Sequence, residues 1–141
     1  MNPKLQTVAL TIWWCEGTKA RKDKRWKNSY SRAIEVTNTN PMIIAIFLDY
    51  LRNNLNIPNE KIHGQVQIHE GDNRKEIELF WSQISNIPIL QFNKTIIRKK
   101  GNKSGKTKGT FKIRVYDKKA FEQLEKLLEL ELEGISSRGV A

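Results

Sequence analysis

Apolar positions along the chain recur with two periods, about 3.6 residues in some segments and about 2 in others, the signatures of helix and strand. Residues 4–16 carry Leu5, Val8, Ala9, Ile12 and Trp13 at helical spacing, and Gly17 follows as a stop. Apolar groups lie on most sides of this helix, which predicts a buried element with Trp13 and Trp14 in the core. Residues 18–32 read as a loop and a short strand that enters the β-rich stretch Ser31–Thr37. Asn38-Thr39-Asn40-Pro41 is a helix start, with Asn40 as cap and Pro41 at the first position. That helix runs through Ile43, Ile44, Phe47, Leu48, Leu51 and Leu55 and stops before Pro58.

Residues 61–69 alternate, with Ile62, Val66 and Ile68 on one face and Gly64 weakening or bulging the strand. After the turn Glu70–Asn73, residues 74–85 form a helix carrying Ile77, Phe80, Trp81 and Ile84 toward the core. Residues 91–109 form a basic block whose centre, 99–106, reads as a solvated loop or hairpin tip. Thr110–Tyr116 alternates again, and Lys118 to about Glu133 is an amphipathic helix with Phe121, Leu124, Leu127, Leu128 and Leu130 inward. Gly134 ends it, leaving 136–141 as a frayed tail. The pattern predicts one α+β domain over residues 1–135 with an antiparallel sheet.

Composition narrows the function. The 141 residues hold 25 Lys and Arg against 15 Asp and Glu, a net charge of +10. An excess of this kind points to a polyanion and away from small acidic metabolites as substrates. The bases cluster: seven lie in residues 18–32 and eleven in 94–119, each stretch holding one acid, Asp23 or Asp117. A basic sheet face gripping phosphates is the reading this supports. The single Cys15 excludes a disulfide framework, and one Cys with two His excludes a tetrahedral zinc site. No apolar run reaches the ~18 residues of a membrane span, and the N-terminus lacks the features of a secretory signal. The expected location is cytoplasmic, on DNA.

One segment is unusual. Ala9-Leu10-Thr11-Ile12-Trp13-Trp14-Cys15-Glu16-Gly17 is a helix that ends in a small residue, an acid and glycine, then runs straight into a basic strand region. In this setting the chain resembles the LAGLIDADG homing-endonuclease family, as a divergent member of its single-motif, homodimeric type. Glu16 takes the place of the signature's final acid and Gly17 that of its final glycine, over a likeness spanning about residues 5–133. Thr11, Trp13, Trp14 and Cys15 depart from the signature, and Glu stands where Asp is usual. The resemblance implies an antiparallel, saddle-shaped sheet backed by helices, with an extra helix at 74–85. It also implies a homodimer on a near-palindromic duplex, in which Thr11 and Cys15 face the partner helix with Val8 and Ile12 beside them. Two facing Glu16 carboxylates, with Gly17, would then hold Mg²⁺ or Mn²⁺ for phosphodiester hydrolysis.

The remaining candidates follow from the same map. Asn38 could order catalytic water, or serve only as a turn residue before Pro41. Lys94 is the candidate for stabilising charge on the phosphate, with Lys99 and Gln91 as alternatives. Lys19, Arg21, Lys22, Lys24, Arg25, Lys27 and Arg32 in the first block are candidate DNA contacts, with Trp26 exposed among them. Arg98, Lys99, Lys100, Lys112 and Arg114 are the contacts expected from the second. Gln65, Gln67 and Glu35 are candidate groove readers, since such side chains hydrogen-bond base edges. His63 and His69 share the face of the glutamines, and Cys15 reads as a packing residue rather than a nucleophile. A DNA-binding regulator that does not cleave, and an RNA-binding or intron-splicing factor, remain alternative readings.

Overall fold

The computed structural model describes residues 3–17, 21–22, 30–31, 33–99 and 108–139. Its helices are α1 (Pro3–Glu16), α2 (Pro41–Asn53), α3 (Arg74–Ser85) and α4 (Lys118–Gly139). Its strands are β1 (Arg21–Lys22), β2 (Tyr30–Ser31), β3 (Ala33–Asn38), β4 (Ile62–His69), β5 (Ile96–Arg98) and β6 (Thr110–Tyr116). The Asn40 cap read from sequence is in place, and two further caps accompany it. Asn40 accepts the Met42 N–H at 2.9 Å, and Asn73 accepts the Glu76 N–H at 3.2 Å. Asp117 does the same for the Ala120 N–H at the start of α4, at 3.1 Å.

Strands β3, β6, β4 and β5 pair in that order, while β1 and β2 form a separate ribbon that leads into β3. The β3–β6 and β6–β4 pairings are antiparallel, but β5 runs parallel to β4, so the sheet is mixed rather than antiparallel. The cause is α3: a helix between two strands returns the chain to the same end, and the second strand then pairs in parallel. Strand β5 lies in the basic block 91–109, just before the 99–106 stretch that reads as a loop, and the pattern predicts no strand there. Three residues on a sheet edge, with Ile96 37% and Ile97 51% exposed, leave no periodic signal.

One face of the sheet is apolar and carries the helices. Ile34, Val36, Ile62, Val66, Ile68, Phe111, Ile113 and Val115 are buried there against Leu10, Trp13, Phe47, Leu51, Trp81 and Phe121. Gly64 does not bulge β4; it pairs in register with Ile113. A Cβ at Gly64 would stand 2.2 Å from Phe111 Cζ, so the glycine is where that ring crosses the strand. Trp13 meets Phe121 edge-on at 5.6 Å, which locks α1 to α4.

Helix α1 buries a single stripe, Ala9, Leu10 and Trp13, rather than most of its surface. Trp14, expected in the core, is 52% exposed. Consecutive helical residues diverge by about 100°, so the neighbour of a core-facing Trp13 must point away from a helix covered on one side. Helix α4 runs through Gly134 to Gly139, where a stop and a frayed tail are predicted. Glycine weakens a helix but blocks none of its hydrogen bonds, and no proline follows. Leu130, expected inward, is exposed on this helix. Among the described residues no helix is long and apolar enough to cross a membrane.

Candidate nucleic-acid interface

The face of the sheet away from the helices is polar, and the strand register orders it into rows. Glu35, Arg114 and His63 lie side by side across β3, β6 and β4, and Thr37, Lys112 and Gln65 form the next row. Gln67 stands beside Thr110 in the row after that. All are half-buried except Glu35, which is buried.

Glu35 is not a groove reader. Its Oε2 accepts from Arg114 Nε at 3.0 Å and Nη2 at 2.7 Å, and Lys112 Nζ lies 3.4 Å away. Burial pulls the carboxyl pKa upward, but the two cations outweigh it and hold the group below its ordinary value. The carboxylate serves to aim two bases. Arg114 also lies over the Tyr116 ring at 5.6 Å. Tyr116, 66% exposed at the end of the same row of alternate residues, is a surface aromatic that the β6 alternation marks and charge counting misses.

The glutamines are held rather than loose. Gln65 Nε2 donates to the Lys94 carbonyl at 2.9 Å, and Gln67 Oε1 accepts from Arg98 Nη2 at 3.3 Å. Gln67, His69, Arg98 and Thr110 line a concavity of about 160 Å³ with Ile68. His63 Nδ1 is 3.1 Å from the Gln91 carbonyl, while Gln91 Nε2 donates to the carbonyls of Asn59 and Ile62. Gln91 therefore ties loops together. Lys94 and Lys99 are exposed on the connectors flanking β5.

Asn38 faces the helix side with Phe111, its pairing partner, and its Oδ1 accepts the Asn40 N–H at 2.8 Å. This is the turn role; no polar-face position is left for it. Arg21 and Lys22 make up β1, whereas Lys19, Lys24, Arg25, Trp26, Lys27, Arg32 and Lys100 lie outside the described residues.

At the sheet margin, α1 ends on Glu16, whose side chain is exposed, and Gly17 bridges Val36 of β3. A Cβ at Gly17 would stand 2.5 Å from the Trp13 carbonyl oxygen, so only glycine lets the chain turn this tightly from helix to sheet. Val8, Thr11 and Cys15 are exposed on the same helix, while Ile12 is partly covered by the molecule's own core. The Thr11 hydroxyl donates to the Thr7 carbonyl at 2.8 Å, and that of Thr7 to Pro3 at 3.1 Å, which lowers the polarity of this face.

Glu16 brings one carboxylate to its site, and among the described residues no three His, Cys, Asp or Glu side chains cluster. A hard divalent cation takes about six oxygens, so one protomer's donors fit Mg²⁺ only when a second copy supplies another carboxylate. No family model, curated protein or solved structure matches the chain.

Proposed function

We propose that the protein is a homodimeric, LAGLIDADG-type DNA-binding protein that hydrolyses phosphodiester bonds in duplex DNA with Mg²⁺ or Mn²⁺. The observation that carries this reading is the end of α1. An uncovered face of small side chains, Thr11 and Cys15 with Val8, leads directly to an exposed Glu16. The Gly17–Val36 bridge ties that carboxylate to β3, whose Thr37 stands in a polar row with Lys112 and Gln65. Pairing two such helices would bring two Glu16 carboxylates together at the middle of a doubled sheet. Oxygen ligands there suit a hard cation, whose chemistry is to activate water and stabilise the leaving oxygen. Lys112 suits the charge-stabilising role better than Lys94. It pairs with Thr37, the residue after Val36, whereas Lys94 lies out on the β5 connector.

Incubating supercoiled DNA with the protein and Mg²⁺ tests this directly. The wild type is expected to nick or cut the DNA. Glu16→Gln is expected to abolish cleavage while binding metal-free duplex as tightly or more tightly, since a carboxylate facing phosphates is removed. Cleavage that survives in Glu16→Gln rejects the site. Tight duplex binding with no cleavage in the wild type leaves the non-cleaving regulator as the function.

A further inference from the structure

The four-stranded sheet has an open corner. Strand β4 continues to His69 beside Arg98 of β5, but its ladder with β6 ends two residues earlier, at Gln67 and Thr110. Gly109 marks that end: it leads into β6 at φ +74°, and a Cβ there would lie 2.6 Å from the Gln67 carbonyl oxygen. The last residues of β4 thus have β5 on one side and no paired β6 residue on the other. The concavity of about 160 Å³ opens at this corner, lined by Gln67, Ile68, His69, Arg98 and Thr110.

Three strands bring four side chains with polar donors to this corner, and no acid lines it. Arg98 is exposed and pairs with no carboxylate among the described residues. Its Nη2 donates to Gln67 Oε1 at 3.3 Å, so an uncharged partner aims the guanidinium without neutralising it. That bond leaves the Nε2 of the half-buried Gln67 as a donor. The His69 ring and the Thr110 hydroxyl, both half-buried, have no hydrogen-bond partner among the described residues. An imidazole offers at least one N–H in either charge state. Asp72, on the turn after β4, spends its Oδ2 on the His69 backbone N–H at 2.9 Å and so holds that residue in place.

We infer that this corner is a binding subsite for a phosphate group, with Arg98, Gln67, His69 and Thr110 as its donors. A guanidinium presents paired N–H groups that match two phosphate oxygens, and the other three side chains add single donors around it. The volume falls short of the ~300 Å³ at which pockets take drug-sized ligands, so the corner suits one oxyanion rather than a nucleoside. Gln67 is then a phosphate donor, not a reader of bases. Free phosphate, the phosphate at a strand end and one inside a duplex share this chemistry; only the last two rest on the DNA-binding reading above.

Inorganic phosphate titrated into ¹⁵N-labelled protein at constant ionic strength, with chloride as the reference, tests the subsite by NMR. The Arg98 Nε–H, the His69 ring and the Thr110 amide are expected to shift saturably with phosphate and not with chloride. Arg98→Lys keeps the charge but loses the fork, and Thr110→Val keeps the shape but loses the hydroxyl. Each is expected to weaken phosphate several-fold, Arg98→Lys at an unchanged thermal midpoint. Signals that move no more with phosphate than with chloride overturn the subsite, as does an Arg98→Lys chain that binds phosphate like the wild type. Adding duplex to the phosphate-loaded protein then identifies the source. Displacement by duplex with or without a 5′-phosphate assigns the corner to an internal phosphate, and displacement only by the 5′-phosphorylated duplex assigns it to a strand end. A chain that binds phosphate but has no duplex affinity keeps the subsite, for free phosphate, and rejects the DNA-binding reading.

Discussion

Glu35 is a buried acid in a basic surface, and its removal should act in opposite directions on folding and on binding. Its carboxylate takes two donors from Arg114 and lies 3.4 Å from Lys112. Glu35→Gln leaves both cations poorly compensated, and a loss of about 1–3 kcal/mol in chemical denaturation is expected. The same substitution releases Arg114 and Lys112 toward phosphates, so duplex affinity should rise and its salt dependence steepen. The pH dependence has a fixed sign. Because the folded pKa lies below the ordinary 4.5, the wild type enjoys the stabilisation above that value and loses it as pH falls through the folded pKa. Glu35→Gln should therefore narrow its stability gap to the wild type on the acid side, and denaturation at pH 7 and pH 3 would show whether it does. A gap that is equal at both pH values would mean that the ion pair contributes nothing.

At the scale of elements, α4 offers the simplest test of helix physics. Gly134 lies inside a helix, and an added Cβ would meet nothing within 4 Å. Gly134→Ala should raise stability by about 0.5–1 kcal/mol through helix propensity and a less flexible unfolded chain, read as a higher denaturation midpoint at unchanged slope. The same glycine shows why sequence patterns mislead at element ends: glycine is a frequent stop, but a helix packed through Phe121, Leu124 and Leu128 continues past it. The span of a periodic element with a clear cap and stop is legible, as the match of α3 with about 74–85 shows. The parity of β4 is legible too, with His63, Gln65, Gln67 and His69 on the polar face. What sequence hides depends on partners distant along the chain. The parallel pairing of β5 needs β4, 27 residues or more upstream of Ile96, to be beside it. The fate of Glu35 is set by Arg114, 79 residues away. Tandem tryptophans look equally apolar until packing chooses Trp13 over Trp14.

Charge and shape separate at the scale of the whole molecule. The polar sheet face collects Lys112 and Arg114, while α4 on the helix side carries Glu122, Glu125, Glu129, Glu131 and Glu133. Under the proposed function, a duplex would be drawn to the sheet and repelled from the helix layer. One such face is short for a duplex site, and a second copy related by a two-fold axis would extend it, with α1 as the surface on offer. Cys15 makes the arrangement measurable, because it is the chain's single cysteine and is exposed on α1. A disulfide forms only when two Cα atoms come within about 7 Å, so a Cys15–Cys15 bond reports on the crossing of two α1 helices. Mild oxidation with copper–phenanthroline should give a band of twice the chain mass on a non-reducing gel, faster with duplex DNA present, and none in Cys15→Ser. Sedimentation should show Cys15→Ser still dimeric at tens of micromolar, and Thr11→Leu shifted toward monomer, because close helix crossings do not accept added volume. A wild type that sediments as a monomer both free and on DNA would leave each Glu16 alone, and with it a site one carboxylate short of holding its metal.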